Sequence, residues 1–157
     1  MGWVSLTLRK QSLRCEMNSR ELRDIQLSRE IRGIHRNLSY EQSIFNKNKK
    51  RELADAKTEL LELREEKDGL EVGTNEYQEW YNEYSMAQTD YNEAKTEISE
   101  YYDDILNELE EEATDAETEK QEEQTTLEAQ LEAVRAEFDA VKEQISSDIE
   151  SSTQKFN

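Results

Sequence analysis

The chain has 157 residues, of which 34% are hydrophobic and 37% are charged, and its formal net charge is −18. Typical globular domains contain about 45–50% apolar and about 25% charged residues, so an ordinary globular core is not expected. A single cysteine excludes an internal disulfide framework, and four glycines without a proline disfavour a turn-rich β-sandwich or barrel.

Low hydrophobicity with high net charge leaves two alternatives, a disordered polyanion and a protein of long helices. The spacing of the apolar residues separates them, because a disordered chain has no reason to keep a helical register. Here the apolar residues step by three, four or seven, with one eight-residue step from Phe45 to Leu53 that predicts local unwinding of a coiled coil. They are Leu27, Ile31, Ile34, Leu38, Phe45, Leu53, Ala56, Leu60, Leu63 and Leu70, and then Leu127, Leu131, Val134, Phe138, Val141 and Ile145. This register predicts an all-α fold of coiled-coil helices.

Residues 1–12 carry apolar side chains at mixed spacing: Trp3, Val4, Leu6 and Leu8. We expect a short extended segment here, with the first helix starting near Gln11 or Ser12. A tryptophan near a terminus is difficult to bury between two helices. Trp3, Leu6 and Leu8 are therefore one candidate site for partner binding.

A first helical arm is predicted over residues 13–68, and a glycine turn over residues 69–75. Gly69 fits the position just after a helix, and Thr74 or Asn75 fits the N-cap of the next one. Leu70 and Val72 are expected to fold back over the turn. Gly33 lies within the first arm in good register, which indicates either a tolerated glycine or a close approach of helices.

The second arm is predicted over residues 76–157 and begins with an aromatic stripe. Within about a 100° sector of one helix face lie Tyr77, Trp80, Tyr81, Tyr84, Tyr91 and Tyr102. One interpretation is that the stripe forms the core beside the turn. The other is that part of it binds a partner, because Tyr and Trp often supply the main contacts of protein interfaces. Farther on, the register is weak over residues 107–126, where a straight helix, a hinge and a frayed segment are all compatible with the pattern.

The distribution of charge predicts how the two arms pair. Residues 1–50 carry 11 basic and 5 acidic residues, whereas residues 101–157 carry 4 basic and 18 acidic residues. A chain that folds back near position 72 places the basic stretch opposite about residues 108–124. We therefore favour an antiparallel two-helix hairpin over a parallel dimer, which would pair acidic segments with each other. The expected charge pairs involve Arg29, Arg32, Arg36, Glu110, Glu111 and Glu112.

Residues for catalysis and metal binding are scarce. The single histidine, His35, and the single cysteine, Cys15, are 20 positions apart, or about 30 Å along one helix. They cannot form a Cys–His pair or a two-histidine metal site within one chain. The many carboxylates lack the partly dry cavity that acid–base catalysis requires. We expect no enzyme activity, no metal and no cofactor.

The start WVSLTLRK, the long helix ELRDIQLSREIRGIHRNLSYEQSIF and the Glu-rich second arm resemble, in style, the small helical virion proteins of tailed bacteriophages. That resemblance implies a structural component that binds other proteins of a larger assembly, with self-association as a further possibility. The alternative is a regulatory coiled-coil protein that associates with nucleic acid or mimics it, which the net charge of −18 disfavours. No apolar run of about 18 residues and no signal-peptide pattern is present, so we expect an intracellular or virion protein without a membrane span.

Overall fold

The computed structural model describes residues 2–156, with side chains described for residues 2–154. Helix α1 spans Trp3–Glu66, a short 3₁₀ helix spans Lys67–Gly69, and helix α2 spans Asn75–Phe156. The described residues contain no strand. The protein is therefore an all-α helical hairpin, as the sequence predicts.

Helix α1 begins at Trp3, which corrects the expected extended segment over residues 1–12. The Gly2 carbonyl oxygen accepts hydrogen bonds from the backbone amides of Ser5, at 3.1 Å, and Leu6, at 3.4 Å. From half-buried Leu6 and Lys10 the three-four register continues to buried Leu13. The register is difficult to see in the sequence because Lys10 occupies one of its positions, with its ammonium group 5.8 Å from the centre of the Phe138 ring.

The chain forms two compact units, each of which pairs a stretch of α1 with an antiparallel stretch of α2. Unit 1 comprises Met1–His35 and Thr114–Asn157, and unit 2 comprises Arg36–Ala113. In unit 1 the side chains of Leu13 and Leu27 are fully buried, and Val134 of α2 is buried as well. These residues occupy the inner face that the apolar register defines.

Polar contacts replace apolar packing in the part of unit 1 that contains the weak register. Gln124 Nε2 donates a hydrogen bond to Ser28 Oγ at 3.0 Å. Lys120 Nζ lies 3.3 Å from Glu30 Oε2. Helix α2 continues without interruption through residues 107–126, so this stretch is helical and not frayed.

The core of unit 2 lies beside the turn. Leu60 and Leu63 of α1 are buried together with Trp80 and Ala87 of α2. Partly buried side chains pack around this cluster: Leu70, Tyr77, Tyr84 and Tyr91. The expectation for Leu70 is thus confirmed, whereas Val72 is 82% exposed and does not fold back over the turn.

The turn depends on Gly73, the only described residue with a positive φ, at 91°. Glycine adopts this left-handed backbone at little cost because it has no Cβ. Gly69 does not have this conformation and instead ends the 3₁₀ helix. Thr74 is the N-cap of α2, since its Oγ1 accepts a hydrogen bond from the Tyr77 backbone amide at 3.2 Å.

Candidate partner-binding surfaces

Trp80 of the aromatic stripe is buried in unit 2. Its indole Nε1 donates a hydrogen bond of 2.6 Å to the backbone carbonyl of Leu63. Leu63 lies in the last turn of α1, where carbonyl groups lack a partner four residues ahead within the helix. Trp80 therefore combines apolar burial with capping of the facing helix. Its ring also stacks on that of Tyr84, with 5.2 Å between the centroids.

Tyr102 is the second buried member of the stripe. Its hydroxyl group donates a hydrogen bond of 2.9 Å to Glu52 Oε1, and its ring centroid lies 6.3 Å from that of Phe45. Burial of the phenol and this hydrogen bond both raise the pKa of Tyr102 above its ordinary value. The neutral phenol is thus the form that the folded state stabilises.

Most of the aromatic stripe packs inside unit 2, as the core interpretation predicts. Tyr77 and Tyr91 are partly buried against the core, and Tyr84 Oη accepts a hydrogen bond of 3.1 Å from Arg64 Nε. Tyr81, at the edge of the sector, is 52% exposed and is the member that stays accessible to a partner. Other exposed side chains of unit 2 lie outside the stripe, so its spacing does not identify them; Tyr40, Met86 and Tyr101 are among them.

The terminal part of unit 1 presents a second apolar surface. Trp3 is 52% exposed and Leu8 is 63% exposed, whereas Leu6 is half-buried against the hairpin. Trp3 lines a shallow cavity of about 290 Å³ with Ile149, Ser152 and Thr153 of α2. Two of the three predicted residues of this candidate site are thus exposed, and Ile149 joins them from the other helix.

A further set of exposed residues on α1 lies outside the inner register and was not predicted. Leu22 is 67% exposed and Ile25 is half exposed, and Val4 and Cys15 are exposed as well. We call these residues, with Leu8, the outer strip: Val4, Leu8, Cys15, Leu22 and Ile25. They are spaced by four, seven, seven and three residues, which keeps them on one face of the helix, and the sequence alone already contains this second register.

Charged residues next to the outer strip are engaged within unit 1. Arg9 Nη2 lies 2.7 Å from Glu137 Oε1, and this bond raises the pKa of Arg9. Glu21 lies 2.9 Å from Arg135. The Arg14 guanidinium lies 5.8 Å from the centroid of the Phe138 ring. These charges are therefore directed towards α2.

The residues that are predicted to form charge pairs are divided between the two compact units. Arg32 donates a long hydrogen bond of 3.4 Å to the backbone carbonyl of Ser28 on its own helix. Arg29 and Arg32 belong to unit 1, and Arg36 with Glu110, Glu111 and Glu112 belongs to unit 2. Pairing among these residues stays a prediction. Other residues form ion pairs of the expected kind, with a basic side chain on α1 and an acidic side chain on α2: Arg9 with Glu137, Arg23 with Glu123 and Lys49 with Asp103.

In the described part of the chain, no group of three or more His, Cys, Asp or Glu side chains could hold a metal ion. His35 Nε2 lies 3.2 Å from Glu117 Oε1, and Cys15 is exposed as a free thiol. Both helices, over the residues described, are too polar to cross a membrane.

The chain matches no protein-family model, no curated protein and no solved structure.

Proposed function

We propose that this protein is a non-enzymatic structural or assembly component that docks onto a larger protein complex such as a viral particle. The observation that carries the proposal is the exposed apolar surface of Trp3 and Ile149 around the shallow cavity. A tryptophan that is half in water at such a concave position is a typical anchor for a protein partner. The exposed Tyr81 of unit 2 is a second contact candidate.

The arrangement of the remaining apolar residues supports the same proposal. Two paired helices bury few side chains, and such folds gain stability when they bind a partner. Among the described residues thirteen large hydrophobic side chains are exposed, whereas only eight hydrophobic residues are buried. Where exposed apolar side chains lie together, as Trp3 and Ile149 do, they favour a protein that works in contact with others.

The alternative function, association with nucleic acid, is disfavoured by the contacts that two arginine side chains already make. Arg9 and Arg23 would be natural contacts for phosphates, yet each forms a short bond to a glutamate of α2. A phosphate would have to compete with these carboxylates in a molecule whose net charge is −18.

The test is the composition of the assembly that carries the chain. Wild-type protein and a Trp3→Ala variant would be expressed in the native host, large particles separated from free protein by sedimentation, and each fraction quantified by mass spectrometry. We expect the wild type at fixed stoichiometry in one assembly, and the variant shifted to the free fraction. Tyr40→Ala, which also truncates an exposed aromatic side chain, is the control and should stay in the assembly. Wild-type protein recovered only in the free fraction would contradict the proposal.

A further inference from the structure

The outer strip lies on the face of α1 opposite the inner face that packs against α2. Cys15 is two residues from buried Leu13, and Ile25 is two residues from buried Leu27. Two residues correspond to about 200° around an α-helix. Helix α1 of unit 1 therefore carries two opposite apolar registers, of which α2 covers one.

The outer strip has an uncharged edge, in a chain with 37% charged residues. Gln11 and Asn18 complete the three-four register of the strip, giving positions 4, 8, 11, 15, 18, 22 and 25. Along the uncharged edge Ser5, Ser12, Ser19 and Gln26 recur every seven residues, and all four are exposed. Covering the strip and this edge does not bury an unpaired charge, which would cost much free energy.

We infer that the outer strip is the contact surface for a second copy of this chain, in a parallel and in-register pairing of two α1 helices. In that pairing each amide, Gln11 and Asn18, faces its own counterpart, and two amide side chains can satisfy each other by hydrogen bonds. Paired amides at seam positions set the register, because a shifted pairing would leave each amide without its partner. The strip is thus complementary to itself.

The orientation follows from the same residues. In an antiparallel coiled coil each layer combines the two different kinds of seam position, so Gln11 and Asn18 would each face leucine or cysteine. Their amides would be left without partners. In the parallel pairing the charged residues of the other edge, Arg14 and Glu21, lie beside Ser19 and Gln26 of the second copy, so no like charges meet there.

The size of the strip indicates a weak dimer. Residues 4–25 of one helix extend over about 33 Å, and a helix is roughly 10 Å wide, which gives an area of a few hundred Å². Stable complexes bury about 800 Å² on each partner. The pairing is therefore reversible and depends on concentration, and salt strengthens it because it screens the repulsion between two copies of charge −18.

Sedimentation of the full chain under reducing conditions tests this inference. We expect a monomer–dimer equilibrium that shifts towards dimer with added salt. The double variant Leu8→Glu/Leu22→Glu should weaken dimerisation by at least about tenfold. Its helix content and thermal midpoint should stay unchanged at low protein concentration, because both side chains are more than 60% exposed. The matched control is Tyr40→Glu/Met86→Glu, which places two charges at equally exposed positions outside the strip.

Thiol crosslinking tests the orientation. A short bis-maleimide should link Cys15 to Cys15 of the second copy, and it should link position 5 to position 5 in a Ser5→Cys/Cys15→Ser variant. A wild-type chain that stays monomeric at all concentrations would overturn the inference, and this includes the case in which the outer strip binds another protein. The inference would also be overturned if the Leu8→Glu/Leu22→Glu variant dimerised as well as the wild type. The same holds if dimers of the Ser5→Cys/Cys15→Ser variant gave no crosslink between the two thiols at position 5. The inference goes beyond the proposed function, and the assembly experiment with Trp3→Ala can fail or succeed independently of it.

Discussion

Arg23 of α1 and Glu123 of α2 form a two-pronged ion pair in unit 1. The guanidinium Nε lies 2.8 Å from Glu123 Oε1, and Nη2 lies 3.0 Å from Glu123 Oε2. Two parallel bonds of this kind specify direction as well as proximity. The pair therefore helps to set the register between residues 100 positions apart in the chain.

The Arg23–Glu123 pair predicts a contribution to stability that acid removes. The hydrogen bond from Arg23 lowers the pKa of Glu123 below its ordinary value of 4.5. A lowered pKa in the folded state means that the contribution is complete above the ordinary pKa and is lost as the pH falls through the lowered one. In urea unfolding, Glu123→Gln should be less stable than the wild type at neutral pH and should approach it in strong acid.

Glu128→Gln is the control for that experiment, because Glu128 is an exposed glutamate on the same helix. It should follow the wild-type pH dependence closely. A constant difference between Glu123→Gln and the wild type at every pH would show that the ion pair contributes nothing specific.

Charge patterning predicted this pairing in kind but not residue by residue. A fold-back at position 72 places Arg23 opposite about residue 121, and its observed partner is Glu123. The turn sequence is long enough for the reversal to occur slightly later, around Gly73, so the register shifts by about two positions. Which arginines pair depends on side-chain rotamers, and neither net charge nor spacing encodes these.

Residues of mixed character limit what the sequence predicts. Lys10 packs its long side chain in the inner register, so the spacing of apolar residues alone predicts a helix start later than the observed one at Trp3. Either glycine of the turn fits a helix end, and only the backbone angles identify Gly73 as the left-handed one. The outer strip was not predicted, because polar amides fill two of its positions.

The two glycines Gly33 and Gly73 should respond to alanine in opposite ways. Gly33 lies inside α1 with open space where the methyl group of an alanine would lie, so Gly33→Ala should stabilise the protein by about 1 kcal/mol. Gly73 has a φ of +91°, where a Cβ is strained, so Gly73→Ala should destabilise it by about 1–2 kcal/mol. Urea unfolding followed by circular dichroism measures both. A loss of stability in Gly33→Ala would indicate that the helix is closely packed at that point.

Trp80 should be the most sensitive single position near the turn. Trp80→Ala removes a buried ring and should cost about 3–5 kcal/mol. Trp80→Phe keeps most of the apolar contact but leaves the Leu63 carbonyl without its donor, at a cost of about 1–3 kcal/mol. Trp3→Phe, at an exposed position, is the control and should change stability by less than about 0.5 kcal/mol. Equal stability of Trp80→Phe and the wild type would mean that the indole hydrogen bond is not needed to cap α1.

The polar contact between Ser28 and Gln124 should help to specify how the two helices pair, but it should stabilise the protein less than apolar side chains at the same two positions would. Gln124 Nε2 donates to Ser28 Oγ at 3.0 Å, at a position three residues before Leu127 where the inner register would accept an apolar side chain. Ser28→Ala alone should destabilise the protein by about 1 kcal/mol, because the partly buried amide loses a partner. Ser28→Ala combined with Gln124→Leu removes both polar groups and continues the apolar spacing into Leu127 and Leu131, so it should be about 1 kcal/mol more stable than the wild type. Urea unfolding of the wild type, the single variant and the double variant measures these differences. If the double variant is less stable than Ser28→Ala, the polar section stabilises unit 1 more than apolar packing would.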